Sequence, residues 1–451
     1  MRIDRGGAIA IAAMVACSWG VLGGCVGDDP TVAREGTLDG GGGDGPAALG
    51  CAPTQNACGG KCVERNDPMA CGASCTVCTA PANGLTTCDG TCKTSCNAGF
   101  ASCGAECRDL KTDANNCGRC GRVCGTACGD GRCAPTKVVD NLTDPLDLAV
   151  GVANVFVRTG SGAPLVQASK LGGSATNVFD ATGWTIAAGP SLDDINLYFL
   201  GTNPAAETRV FKRGISSVGG STAVAPVTTC GLGCGLAVLG DPVLGATYAW
   251  FDAYDLHTCK GACTTVYDEP TGGQLQSLAL TTTYAVWTNA TGNGSIFRCT
   301  LPECALSTRM TLFESGTNTS PSLIRVHKDI VYWIDNFIAV GDKARVLSCS
   351  IAGCGGVPKV IAKGENEMKG LAVDDSGVYF TVEGDTANLA GVVKVCRDLG
   401  AGCGVASEIL ADKQAQSEAI VLDATHAYWL NKGVSGGTAG TVAPNVSRVA
   451  K

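Results

Sequence analysis

Charge is scarce in this chain: Asp, Glu, Lys and Arg make up 16% of its 451 residues, against about a quarter in an average soluble domain. A folded surface built from it must be wetted largely by Ser, Thr, Asn and backbone. Basic clusters are missing beyond Arg2 and Arg5, and the net charge is −8. The electrostatic footprint of a nucleic-acid partner is therefore absent, and none is expected. Histidine is nearly missing too, and its three copies, His257, His327 and His426, stand in three different parts of the sequence. None has a neighbour with which to form a metal site or a catalytic base. A G-x-S-x-G elbow, an H-E-x-x-H helix and sialidase-type Asp boxes do not occur. No long amphipathic helical pattern is present either, which leaves strands to build the fold.

What is present is a short aromatic phrase that returns seven times. It reads Val155-Phe156-Val157, Leu197-Tyr198-Phe199, Tyr248-Ala249-Trp250-Phe251-Asp252, Ala285-Val286-Trp287-Thr288-Asn289, Val331-Tyr332-Trp333-Ile334-Asp335, Val378-Tyr379-Phe380-Thr381 and Ala427-Tyr428-Trp429-Leu430-Asn431. Its second aromatic slot falls at 157, 199, 250, 287, 333, 380 and 429, so the steps are 42, 51, 37, 46, 47 and 49 residues. A period in the forties carried by strand-forming aromatics marks a β-propeller with one four-stranded blade per repeat. The expected class is therefore all-β, a propeller over residues 136–451. A complete unit runs from Gly370–Asp374 (innermost strand) through Gly377–Val382 and Gly391–Cys396 to Ser407–Ala411 (outermost). The last unit stops at a third strand, Val446–Ala450, while Lys137–Asn141 ahead of Leu148-Ala149-Val150 parallels Lys359–Ala362 ahead of Leu371-Ala372-Val373. The N-terminal segment is thus expected to supply the missing strand and seal a ring of seven blades. The first two units match poorly, which leaves six or eight blades open. The phrase resembles the Tyr-Trp-Thr-Asp wording of propellers of the low-density-lipoprotein-receptor class, most nearly at Val286–Asn289 and Tyr332–Asp335.

The first 24 residues indicate export. Arg2 and Arg5 give a positive start, and Ala8–Leu22 is an uncharged, mostly apolar run too short to span a bilayer comfortably. It ends in Leu22-Gly23-Gly24-Cys25, which resembles a bacterial lipobox. The resemblance implies cleavage of a signal peptide at 1–24 and lipidation of Cys25, hence a membrane anchor in the cell envelope, at the outer membrane or cell surface. Residues 25–50, with Asp39-Gly40-Gly41-Gly42-Gly43-Asp44 at their centre, read as a flexible tether with an end-to-end distance of about 25–30 Å.

Of 28 cysteines, Cys17 would leave with the signal and Cys25 would carry lipid, leaving 26. Sixteen lie between Cys51 and Cys133 and ten between Cys230 and Cys403, and even numbers in an exported chain argue for disulfides. In the block 51–135, Cys58-Gly-Gly-Lys-Cys62 with Cys71-Gly-Ala-Ser-Cys75-Thr-Val-Cys78 nearly repeats as Cys103-Gly-Ala-Glu-Cys107 with Cys117-Gly-Arg-Cys120-Gly-Arg-Val-Cys124. Cys88, Cys92 and Cys96 stand between the copies, and Phe100 is the only aromatic. Cross-links must therefore replace a core. These motifs resemble the cysteine-rich repeats of the stigma-specific protein family, a likeness that implies structure and no catalytic residue. Zinc is the rival at Cys75-x-x-Cys78 and Cys117-x-x-Cys120, but the block holds no His and the signal directs it to an oxidising compartment. Within the propeller, Cys259 with Cys263, Cys299 with Cys304, Cys349 with Cys354, and Cys396 with Cys403 fall at the turn from third to fourth strand, and Cys230 with Cys234 follows an outer strand. Local disulfides there would contribute at most about 2 kcal/mol each.

The repeated aromatics are expected to be blade packing, and the polar residues after them, Asp252, Asn289, Asp335 and Asn431, to bond turn backbone. No catalytic, cofactor-binding or metal-ligating residue emerges. The chain reads as a membrane-anchored lipoprotein that displays a propeller on a disulfide stalk and binds an unidentified protein or glycan. The loops Glu314–Ser322, Asp335–Lys343, Glu365–Lys369 and Glu383–Leu389 are the place for recognition. The alternative is a propeller hydrolase or lyase with a metal-dependent carboxylate site on the ring axis, which requires acids from different blades to meet at one mouth. A purely structural envelope component is a third reading.

Overall fold

The computed structural model describes residues 50–160, 165–179, 183–215, 220–227, 234–240, 246–251, 255–260, 262–268, 275–289, 294–314, 320–336, 343–435 and 440–451. The signal segment, Cys25 and the tether up to Leu49 lie outside these, as do Cys230, Asp252 and the middles of the loops Glu314–Ser322 and Asp335–Lys343.

Among the described residues, the strands from Thr136 onward form seven antiparallel four-stranded sheets, a seven-bladed propeller. The innermost strands are Pro145–Val150, Thr185–Leu192, Gly235–Leu239, Leu275–Leu280, Pro321–His327, Met368–Asp374 and Ser417–Leu422. Each repeated phrase forms the second strand of its blade, and its continuous apolar wording follows from burial on both faces. In the fifth blade, Val331 and Trp333 pack against Val286 and Ile296 of the fourth. Tyr332 and Ile334 pack the opposite way, against Leu371 and Phe380 of the sixth. Trp250, Trp287, Trp333 and Trp429 are all at most 2% exposed, and losing such a side chain typically costs about 3–5 kcal/mol.

The seventh blade takes its outer strand from the other end of the propeller. Thr136–Val139 pairs with Asn445–Ala450, Val139 opposite Val446 and Thr136 opposite Arg448. Val138 and Val139 are then buried with Tyr428 and Leu430 of the seventh blade and Leu148, Val155 and Val157 of the first. Lys170 of the first blade crosses the same seam to Asp423 of the seventh at 2.7 Å.

The cysteine-rich region consists of two successive units of eight cysteines with one connectivity. Cys51–Cys62, Cys58–Cys75, Cys71–Cys88 and Cys78–Cys92 close the first unit. Cys96–Cys107, Cys103–Cys120, Cys117–Cys128 and Cys124–Cys133 close the second. In both, the first cysteine bonds the third, the second the fifth, the fourth the seventh and the sixth the eighth. The repeat is thus longer than its near-identical wording: Cys88 and Cys92 complete the first unit, and Cys96 opens the second. Gly72 and Gly118 hold equivalent places, with φ of +66° and +74°, and a Cβ on either would sit 2.3 Å from the carbonyl oxygen of Gly90 or Gly131.

The second unit is no free stalk, because it is docked on the propeller. Cys117, Cys124 and Cys133 share a core with Tyr379, Leu410, Trp429 and Val449. Arg122, 2% exposed, reaches Glu408 at 3.2 Å and donates to the carbonyl of Ala450 at 2.9 Å. Arg119 donates to the carbonyl of Lys451 at 2.6 Å, and Arg132 pairs with Asp412. The first unit lacks this equipment. The bonds Cys71 N to Thr76 O and Cys117 N to Arg122 O are equivalent, so a threonine stands where the second unit has its buried arginine.

Placing Asp at both Val138 and Val139 buries two unpaired carboxylates at the seam and is expected to destabilise the propeller by more than about 3 kcal/mol. Chemical denaturation of the full chain measures it, and an unchanged midpoint would contradict closure by this strand.

Candidate functional site: the axial bore and its upper mouth

Each innermost strand begins on one face of the ring, here called upper, and ends on the lower face. In each antiparallel blade, the turns from innermost to second and from third to outer strand are then lower. The described ends of the four loops expected to carry recognition lie on the upper face, since each links a second to a third strand or an outer strand to the next innermost one. The third-to-outer turns, with their cysteines, lie below. Cys299–Cys304, Cys349–Cys354 and Cys396–Cys403 are bonded with Cα atoms 4.9, 5.4 and 5.6 Å apart. Cys234 and Cys259 are also disulfide-bonded, and Cys263 stands opposite Cys259 in the strand register. The side chain of Cys263, like Cys230, is outside the described residues.

A second feature of the lower face is repeated without being part of the aromatic phrase. Asp193, Asp374 and Asp423 end innermost strands five residues ahead of Tyr198, Tyr379 and Tyr428. Asp193 accepts from the amides of Ile195 and Asn196 and from the Tyr198 hydroxyl at 2.8 Å. Asp423 accepts from the amides of Thr425 and His426 and from the Tyr428 hydroxyl at 3.0 Å. Asp374 takes the Ser376 amide and hydroxyl, and Ser376 touches the Tyr379 hydroxyl at 2.6 Å. Burial pushes the Asp423 carboxyl upward, but Lys170, the two turn amides and Tyr428 hold it below the usual carboxylate range. Asp193 is likewise lowered, its turn amides and Tyr198 outweighing burial.

On the lower face these three acids bond the turns; of the polar residues that follow the aromatics, Asp252 lies outside the described residues and Asp335 bonds a loop amide as well as side chains. Asp335, 0% exposed, receives the Arg345 guanidinium at 3.1 and 2.8 Å from the strand beside it and the Ser320 amide at 3.2 Å. Asn431 bonds Asn445, Gln414, Ser447 and Ser417. Asn289 is buried. Asp335 and Asn431 end their second strands buried and are bonded mainly to side chains of neighbouring strands. A strand-end Asp, Asn or Thr in the sequence does not reveal that depth.

The ring encloses a bore with a volume of about 660 Å³, lined by all seven innermost strands. Its lower end is an aliphatic collar of Val150, Leu192, Val238, Leu280, Val326 and Leu422. Its upper end is charged on one side. Lys369 pairs with Glu367 at 2.7 Å and with Glu383 at 3.3 Å, and Lys432 pairs with Glu418 at 3.0 Å. Burial raises Glu418 against the pull of Lys432. Acids of the sixth and seventh blades thus do approach one mouth, but they are paired with lysines, Glu367 and Glu383 sharing Lys369 and Glu418 taking Lys432. Among the described residues, the groups of three metal-type donors are Cys71, Cys78 and Cys92, and Cys117, Cys124 and Cys133. All six sulfurs are spent in disulfides. In the suggested zinc pairs, Cys75 bonds Cys58, Cys78 bonds Cys92, Cys117 bonds Cys128 and Cys120 bonds Cys103.

His257 is buried and stacked on Trp250 at 5.1 Å. His327 meets Asp375 at 2.7 Å, and His426 meets Thr425 at 2.7 Å. No two of them meet.

No protein-family model and no curated protein matches the chain. Among solved structures it is similar to YCF48 bound to a D1 peptide, with 11% identity and a TM-score of 0.46 over 70% of this chain and 94% of that one. BamB from Moraxella catarrhalis matches at 12% and 0.38, over 67% and 81% of the two chains. Oligopeptidase B from Leishmania major matches at 7% and 0.41, over 65% of this chain and 46% of its own length. These likenesses are of fold and assign no activity.

Because the folded pKa of Asp423 and Asp193 lies below the unfolded value near 3.8, their contribution to stability is complete above that value. It is lost as pH falls through the folded pKa. Asp423→Asn is expected to cost about 1–3 kcal/mol at pH 7 and to flatten the loss of stability below pH ~4. Denaturant midpoints from neutral to strongly acidic pH test this, and an unchanged acid slope would refute it.

Proposed function

We propose that the chain is an exported lipoprotein, anchored in the cell envelope through Cys25, whose propeller is a binding scaffold for a protein or glycan. The observation that carries this reading is the oxidised state of the cysteine-rich region: all sixteen of its cysteines are paired. Such density belongs to an oxidising compartment and agrees with the signal and lipobox-like wording of residues 1–25. The second unit occupies part of the lower face, so the tether would approach from that side. The upper face, with the four recognition loops, would then point away from the lipid. The mouth acids are held in ion pairs with Lys369 and Lys432, so a metal-dependent hydrolase or lyase receives no support from the described residues.

Cys25→Ala is expected to abolish incorporation of labelled fatty acid into the expressed chain, and full labelling of the variant would overturn the anchor. Alanine substitutions across Glu365–Lys369 and Glu383–Leu389 are expected to weaken affinity capture of envelope partners. A partner profile that does not change would remove these loops from recognition.

A further inference from the structure

Six of the seven innermost strands carry a register irregularity, a device that re-aims the residue after it. That residue is Ser191, Ser277, Gly370 or Ile420 in four blades. In the first blade it is Asp147 and in the fifth it is Arg325. A third charge, Arg158, stands opposite Asp147 on the second strand of the first blade, and all three line the bore.

Asp147 is near enough to feel each arginine, yet the three form no ion pair among the described residues. Asp147 accepts only the amide of Leu148 at 2.8 Å, Arg158 donates Nε to the Gly189 carbonyl at 3.0 Å, and Arg325 donates one Nη to the Ile324 carbonyl at 2.8 Å. The three residues line the lumen, and among the described residues their remaining guanidinium donors and second carboxylate oxygen have no hydrogen-bond partner. Two guanidiniums against one carboxylate leave one positive charge in excess among these lining groups, with Asp144, outside the lining, acting on Arg158 as well. Burial pushes Asp147 upward and both arginines downward, as expected of charges held where water is sparse.

We propose that the bore is a binding site for a small hydroxylated monocarboxylate, such as a 2-hydroxy acid or a sugar acid. Its carboxylate takes the free guanidinium donors of Arg158 and Arg325, and its hydroxyl donates to Asp147. One negative charge balances the site, and a guanidinium fork matches a carboxylate. The volume of about 660 Å³ falls within the roughly 300–1,000 Å³ of small-molecule pockets. The aliphatic collar disfavours a polar solute at the lower end, so the ligand enters from above. There three glutamates face two lysines, a surplus that works against multiply charged anions. Binding in the bore does not depend on the anchor or on the upper loops.

Calorimetric titration of the full chain with L-lactate, D-gluconate and D-glucuronate tests the proposal, with acetate, D-glucose and citrate as controls. At least one hydroxy acid is expected to saturate a single site, more tightly than acetate, while glucose and citrate do not. Arg325→Gln is expected to weaken it about tenfold or more, and Asp147→Asn to bring the hydroxy acid down to the level of acetate. The near-ultraviolet dichroism of each variant verifies folding. If Arg325→Gln does not fold, Arg325→Lys, which keeps the charge but loses the planar fork, serves the same comparison. Absence of heat from all three hydroxy acids at millimolar concentration, or an affinity untouched by both Arg325 variants, would overturn it.

Discussion

Everything in this molecule depends on how the ring is closed. Seven sheets arranged around an axis leave one seam where the chain begins and ends, and an open seam would expose a strand edge and the apolar face beneath it. Here Thr136–Val139 fills the edge of Asn445–Ala450, Lys170 bridges to Asp423, and Arg122 ties the end of the last strand to a disulfide unit. The closing strand starts three residues after Cys133, the last cysteine of that unit (136 against 133). The cross-linked unit and the closing strand therefore act together: a short covalently stiffened segment delivers the strand to the seam and holds it there. A propeller alone would have to recruit that strand from a mobile chain end, at a larger entropic cost.

The same arrangement explains why two cysteine-rich units with one connectivity behave differently. Their disulfides make the same scaffold twice, but only the second carries arginines at the positions that face the propeller. Arg122 is buried against Glu408 and the Ala450 carbonyl, whereas the side chain of its counterpart Thr76 bonds Ser74 within its own unit. Duplication provided the shape, and a few side chains decided which copy became part of the propeller.

The fold was legible in the sequence because it is periodic. Residues such as Trp287, Trp333 and Trp429 recur at equivalent places, and repetition makes a buried strand recognisable without knowledge of its partners. Even the closing strand could be read, since Lys137-Val138-Val139 imitates the outer strand of another blade. The cysteine pairing, the docking of the second unit and the bore were not legible. Asp147 and Arg325 are 178 residues apart (325 − 147) and line one lumen, each just after a register irregularity. Local sequence does not display such an irregularity. The turn acids lay between: Asp five residues before Tyr occurs three times, but its meaning appears only when the carboxylate is seen to gather turn amides and a hydroxyl.

A symmetric ring confers its own kind of specificity. Where seven blades do the same thing, the shared residues can only build the wall, as the aliphatic collar and the aromatic interleaving do. Chemistry able to distinguish one ligand from another must come from positions where a single blade departs from the rest. The described bore has few such departures, and they are grouped: Asp147, Arg158 and Arg325 within it, and Lys369, Glu383, Glu418 and Lys432 at its upper rim. In a chain with only 16% charged residues, placing five of these seven in the lining of one cavity is costly for folding. That cost is offset only if those charges interact with something, so selectivity is to be sought along the axis as well as in the loops above it.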